Sequence, residues 1–358
     1  MTETSGARRE NNVRVLIWGF GAMGGGMADM LLDKQGVEIV GVCDTAPERA
    51  GKCLFELLGR ERGDRPETIV RERIGDVLAP GCADVALLAT DSFTAKAYPK
   101  IRLLIENRIN VISTAEQMAW PQAAEPALAE DMDRLAKANG VTVLGTGINP
   151  GLIMDLLVVL MTGACRRVDG IRARRVNSLS PFGTAVMEEQ GVGLTPEEFS
   201  RRAQAGELAG HVGFEESAAM ICAGLGWKLD GPVQQTMAPI VSSVPRKTAF
   251  ASVAPGRVAG CDMNGVGRIG GRSRIVMEHP QQIEPQTEGV ETADTIEIAG
   301  DPDIKLSIRP ETPGGIGTIA MCVNMIPQVI NANPGLKTML DLPVPRAIMG
   351  DMRDRIDA

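Results

Sequence analysis

Short apolar runs of strand length alternate with helix-length amphipathic segments through the first part of the chain. The runs are 13–18 (VRVLIW), 37–43 (VEIVGVC), 84–90 (DVALLAT), 110–114 (NVIST) and 141–145 (VTVLG). Helical patterns lie between them, from a glycine cluster to about Lys34, from Pro47 to Leu58, over about 95–107 and over about 124–139. Parallel strands need a long crossover, so this rhythm predicts a parallel, doubly wound α/β sheet. The stretch 60–80 is charged and has no clear period. The opening residues MTETSGARRENN are polar and predict a disordered tail over 1–12, with no secretory signal.

The rhythm changes near Asn149. Residues 151–163 read as a helix and 170–179 as a strand. Residues 194–226 look mainly helical, opened by Thr195-Pro196-Glu197-Glu198, which supplies an N-cap, a proline at N1 and a glutamate at N3. Segments 232–244, 256–260, 266–278 and 290–309 carry β-type alternation without long helices between them. They predict a second α+β domain on a mostly antiparallel sheet. A last helical pattern covers about 316–331.

Composition narrows the chemistry. The 358 residues are 44% hydrophobic and 23% charged, as in a folded globular protein of one large or two ordinary domains. No apolar run reaches membrane-spanning length. A net charge of −8 argues against nucleic-acid binding and against an anionic membrane surface. With only two histidines, His211 and His279, and no C-x-x-C pair among seven cysteines, no metal site is expected. The cysteines read as reduced, buried thiols of a cytoplasmic protein. An acid/base group is then a carboxylate, a lysine or the single tyrosine, Tyr98.

The glycine cluster reads Gly19-Phe20-Gly21-Ala22-Met23-Gly24, directly after the first strand and opening the first helix. In such a G-x-G-x-x-G turn the first glycine permits the bend, the second admits a pyrophosphate and the third allows close packing. An acid, Asp44, follows the second strand, 25 residues after Gly19, where a ribose diol is held. Together these features predict a dinucleotide site. Asp44 points to NAD, while Arg49 could pair with a 2′-phosphate, so NAD or NADP remain open. The nicotinamide end is expected at the carboxyl ends of later strands. Thr90-Asp91-Ser92, Ser113-Thr114-Ala115-Glu116-Gln117 and Gly145-Thr146-Gly147-Ile148-Asn149-Pro150-Gly151 stand there. Thr90, Ser92 and Asn149 are the cofactor contacts expected from them.

Glu116 lies just beyond a strand end among uncharged neighbours (STAEQMAW). Desolvation there would suit a carboxyl group to acid/base work. A first-turn glutamate answering a helix dipole is the alternative reading.

WGFGAMG, STAEQMAWP, GTGINPGLIMD, GVGLTPEEF–GHVGFEESAAMI and the closing CVNMIPQVI–NPG–DLP segment follow one another in order. This combination, spanning Val13 to Asp351, resembles the 2,4-diaminopentanoate dehydrogenases and the related native amine dehydrogenases. The resemblance implies a Rossmann-type domain at 13–150, a substrate-binding and dimerisation domain at 151–315, and a segment from about 316 to 358 packing back on the first. It implies oxidative deamination of a diamino acid with NAD(P), Glu116 as acid/base, and a homodimer. A diamino acid needs a partner for its carboxylate, for which Arg172, Arg174 and Arg175 on one strand, or Arg268, Arg272, Arg274 and Arg309, are candidates. Alternation puts Arg172 and Arg174 on one face. Arg174 and His211 are taken as substrate-binding candidates. An amine dehydrogenase acting on simple ketones and aldehydes is the alternative, and a dinucleotide-binding regulator without turnover a remote one.

Overall fold

The computed structural model describes residues 9–357. Most of the tail expected over 1–12 lies outside the described residues. Arg9 is held by an ion pair to Asp84 at 2.5 Å. The chain divides into two compact units, one of residues 1–151 with 315–358, the other of 152–314.

In the first unit β1 (Val13–Trp18) leads through the glycine turn into α1 (Ala22–Leu32), then β2 (Val37–Cys43). The ambiguous stretch follows, with α2 (Leu54–Leu58) and a short β3 (Val70–Arg71). β4 (Val85–Leu88), α3 (Thr94–Glu106), β5 (Asn110–Ser113), α4 (Pro126–Asn139) and β6 (Thr142–Gly145) complete the alternation. The helix expected from Pro47 to Leu58 is confined to its last turn and a half. Residues 47–51 form turns instead, closed by the Gly51 amide donating to the Val70 carbonyl.

The second unit opens with α5 (Leu156–Thr162), whose N-cap Asp155 accepts the Leu156 amide at 2.7 Å. That cap explains why the helix starts well after Gly151. β7 (Arg167–Ser178), α6 (Thr184–Glu189), α7 (Pro196–Gln204) and α8 (Phe214–Leu225) follow. The Thr195 hydroxyl accepts the Glu198 amide at 3.1 Å, so the capping sequence works as read. Then come β8 (Gln234–Val241), the paired β9 (Arg246–Lys247) and β10 (Ser252–Val253), β11 (Val258–Ile269), β12 (Arg272–Gln282), β13 (Ala293–Asp301) and β14 (Ile304–Ile308). The sheet order is β14-β13-β7-β12-β11-β8. All pairings are antiparallel except β7 with β12. β11 joins the two segments read separately at 256–260 and 266–278, and the β11–β12 turn falls at Gly270-Gly271.

One face of this sheet is buried, and its chemistry changes along the strands. At one end lie Ile171, Ile275 and Ile298; at the other lie Arg175, Asn177, His279, Gln281 and Asp294, all at most 6% exposed. Burying so many polar groups is unfavourable unless they partner one another or a ligand.

The chain then returns to the first unit through α9 (Gly314–Asn324), α10 (Ile326–Asn331) and β15 (Gly335–Lys337). The single helix expected over 316–331 is broken because Pro327 has no N–H to continue the α9 ladder. β15 extends the parallel sheet to the order β15-β6-β5-β4-β1-β2-β3. Central β4 is wholly apolar and buried at all four positions. Among the described residues no helix is long and apolar enough to cross a membrane.

Candidate active site

The glycine turn is built for close backbone approach. Gly19 has φ +94° and is pressed on Ala89 and Thr90, and a Cβ at Gly24 would collide with the Gly19 carbonyl oxygen. A Cβ at Gly21 would meet nothing within 4 Å, leaving that side of the turn open at the start of α1. An open backbone at a helix N-terminus fits a pyrophosphate. Phe20, Ala22 and Met23 complete the loop and the first turn.

Asp44, at the end of β2, is 9% exposed. Its Oδ2 accepts the Phe20 amide at 2.5 Å and its Oδ1 accepts the Ala46 amide at 2.8 Å. The remaining lone pairs suit a ribose diol. Arg49 is drawn into acidic company, 3.3 Å from Asp44 and 2.9 Å from Glu48. Its charge is therefore already balanced without a phosphate.

The later strand ends form a contiguous rim. Thr90 touches the glycine turn. The Gln117 amide donates to the Ser92 carbonyl at 3.2 Å, and Gln117 Oε1 accepts the Thr94 amide at 3.0 Å, capping α3. Glu116 opens the one-turn 3-10 helix Glu116–Ala119 that carries Gln117. Ser113 Oγ accepts the Ala115 amide at 3.2 Å, while Met118 and Ala119 are buried. Glu116 is thus half-buried on a turn fixed from both sides. Asn149, also half-buried, ends the loop after β6, whose Ile148 amide donates to Thr318 of α9 at 3.2 Å. The structure joins the glycine turn to Asp44 and Thr90, and the Ser92 loop to Gln117, the residue after Glu116.

In the second unit Arg172 and Arg174 share the outward face, as alternation predicts. Both pair with Glu278, at 2.6 and 3.3 Å, and both are about half exposed. The inward arginine is Arg175. Its Nη1 donates to Asp294 at 2.5 Å and its Nη2 to the Thr312 carbonyl at 2.6 Å. Beside it, His279 Nε2 meets Asn177 Oδ1 at 3.0 Å. That bond puts the proton on Nε2 and leaves Nδ1, which is buried and without a partner, as an acceptor. The His211 ring packs edge-on against His279 and Phe214, with centroids 4.5 and 5.0 Å away. Burial, with the Arg175 charge adding to it, pushes His211 down to about 3. Burial, His211 and Arg175 lower His279 well below its usual value. Both rings are neutral near pH 7.

Sequence reasoning passed over His279, Asn177 and Asp294 as site residues and did not single out Arg175. The available signal was register: in Arg172-Ala173-Arg174-Arg175-Val176-Asn177 the strand's buried face carries Ala173, Arg175 and Asn177. Among the described residues no group of three or more His, Cys, Asp or Glu could hold a metal ion.

Residues 152–358 match the family of 2,4-diaminopentanoate dehydrogenase C-terminal domains. A 2,4-diaminopentanoate dehydrogenase of Acetoanaerobium sticklandii is 61% identical over 344 residues, covering 96% of this chain and 97% of that one. The chain belongs to the 2,4-diaminopentanoate dehydrogenase family. An amine dehydrogenase of Streptomyces virginiae is 22% identical, covering 94% of this chain and 98% of its own. The solved structure of an amine dehydrogenase from Mycobacterium smegmatis aligns with a TM-score of 0.85 at 27% identity, covering 96% of this chain and 99% of its own. The family thus joins a parallel dinucleotide-type sheet to a mixed second sheet.

Proposed function

We propose that this protein is an oxidoreductase that deaminates 2,4-diaminopentanoate oxidatively to 2-amino-4-oxopentanoate and ammonia. The observation that carries the reading is the 61% identity to a 2,4-diaminopentanoate dehydrogenase along nearly the whole chain. The glycine turn and Asp44 would hold a nicotinamide dinucleotide, which when bound accepts a hydride from the amine-bearing carbon. Asp44 and the committed charge of Arg49 favour NAD over NADP.

Glu116 is the acid/base group of this reading. Its carboxylate takes a proton from the C4 ammonium, so that the nitrogen lone pair assists loss of the hydride. After releasing that proton to solvent, it takes a proton from the water that adds to the resulting iminium, passes it to the carbinolamine nitrogen, and accepts the carbinol proton as the nitrogen leaves. The balance is ammonium, oxidised cofactor and water giving ketone, ammonium ion, reduced cofactor and one proton. The buried cluster of the second unit, with the Arg175 guanidinium and the His279 Nδ1 acceptor, has the chemistry that the carboxylate and ammonium of an amino acid need. His211 lines the same cluster as a neutral ring. These partners favour an amino acid over a carboxylate-free amine.

We further infer a homodimer in the cytoplasm. All seven cysteines are free, which supports a reducing compartment. The test is formation of NADH or NADPH with a panel of 2,4-diaminopentanoate, ornithine, lysine and simple alkyl amines. Turnover confined to the diamino acids supports the reading. Turnover of alkyl amines alone overturns it in favour of a general amine dehydrogenase.

A further inference from the structure

We infer that Asp91 is a positioning residue for the cofactor, acting through Thr90, with Lys100 holding Asp91 in place. The inference rests on the dinucleotide reading above. Thr90 stands at the end of β4, its methyl group directed at the glycine turn: a Cβ at Gly19 would lie 2.9 Å from Thr90 Cγ2. Its hydroxyl donates to Asp91 Oδ2 at 2.5 Å. The same Oδ2 accepts from Lys100 Nζ of α3, also at 2.5 Å. The Asp91 side chain is 12% exposed and that of Lys100 30%.

A threonine hydroxyl has one proton and two lone pairs. Asp91 takes the proton, so the exposed Thr90 oxygen can only accept. A group restricted to accepting repels phosphate oxygens and selects hydroxyl donors. The ligand chemistry it fits is a ribose hydroxyl next to the pyrophosphate turn. Lys100 neutralises the Asp91 carboxylate, so the device polarises Thr90 without placing an uncompensated negative charge beside the dinucleotide's phosphates. A free hydroxyl would rotate, and ordering it would weaken binding.

The test measures NADH affinity by fluorescence, with melting temperature as the structural control. Asp91→Asn and Thr90→Val are each expected to weaken NADH by up to about tenfold, the scale of one well-made neutral hydrogen bond. The double variant should be no weaker than Thr90→Val alone, since Asp91 acts only through that hydroxyl. Thr90→Ser should retain wild-type affinity. In turnover, KM for the cofactor should rise while kcat and KM for the substrate stay near wild type. Additive losses in the double variant, or a lower melting temperature with NADH affinity within twofold of wild type, would overturn the assignment. A wild-type protein that binds neither NADH nor NADPH would instead overturn the dinucleotide reading itself.

Discussion

The Phe20 amide and the Asp44 carboxylate are joined by a 2.5 Å hydrogen bond, so the glycine turn and the end of β2 form one unit. Asp44 therefore shapes the turn as well as facing a ribose. Both of its oxygens accept backbone amides, and an asparagine has only one such oxygen. Asp44→Asn would point an NH2 group at either Phe20 or Ala46. We expect a loss of about 1–3 kcal/mol in NAD affinity, about fivefold to a hundredfold in Kd. Asp44→Ala should weaken NAD and shift the KM ratio toward NADP. Unchanged KM values for both cofactors in both variants would remove Asp44 from the site.

Glu116→Gln keeps the shape of the side chain and deletes the base. Turnover is expected to fall by about 10²-fold or more, with NADH affinity unchanged. Stopped-flow turnover and fluorescence binding separate the two effects. A kcat within a few-fold of wild type would exclude Glu116 from proton transfer.

Much of the cofactor side was legible because its signals are local. The glycine turn, its flanking strand and helix, and the acid after β2 lie within Val13–Asp44, and backbone sterics alone specify them. Helix ends were harder. Asp155 starts α5 later than apolar periodicity suggests, and Pro327 splits a pattern that reads as continuous. The polar cluster of the second unit was least legible. Arg175 lies 119 residues before Asp294, and His279 sits on the strand just before that of Asp294, so only sheet register brings the three together. Arg172, Arg174 and Arg175 look alike in composition; one position in a two-residue period separates a buried guanidinium from two exposed ones.

That buried guanidinium makes Asp294 a stability determinant. Arg175 and Asp294 are each 2% exposed and paired at 2.5 Å. Removing one partner of a buried pair leaves an uncompensated charge, which costs about 3–5 kcal/mol. Asp294→Leu should lower the urea midpoint accordingly. Arg175→Met with Asp294→Leu together should recover much of that stability while raising KM for the diamino acid. A double variant as unstable as the single one would show that the pair's partners, not its charge, set the cost.

The two neutral histidines give the fold a pH limit. Each has a folded-state value below its unfolded one, so the unfolded chain binds more protons as pH falls. Their stability contribution is complete above about pH 6.5 and is lost as pH drops toward the folded value, about 3 for His211. At pH 5 the loss from His211 alone is about 2 kcal/mol. Melting temperature should decline steadily below pH 6.5, and His211→Phe should flatten the decline. A variant with the wild-type slope would show that other groups carry the acid sensitivity.

The outward face of the second sheet is expected to bury itself against a second copy. Arg172 and Arg174 flank Glu278, whose side chain is 18% exposed, and Asp262 lies close enough to feel both Arg174 and Glu278. Around them Asn264, Val266 and Val276 are half-buried. The face is mixed in charge and self-complementary, so a two-fold axis can set a basic edge against an acidic one. A face of this kind is also soluble when left open, which makes a monomer the competing outcome. Light scattering at micromolar concentration should give twice the 38.0 kDa of one chain. Glu278→Arg would place three guanidinium groups together on each copy and repel the partner, so it should give a monomer with a melting temperature lower than that of the wild-type dimer. A wild-type mass near that of one chain would sink the dimer. A Glu278→Arg variant that remains dimeric would place the interface elsewhere.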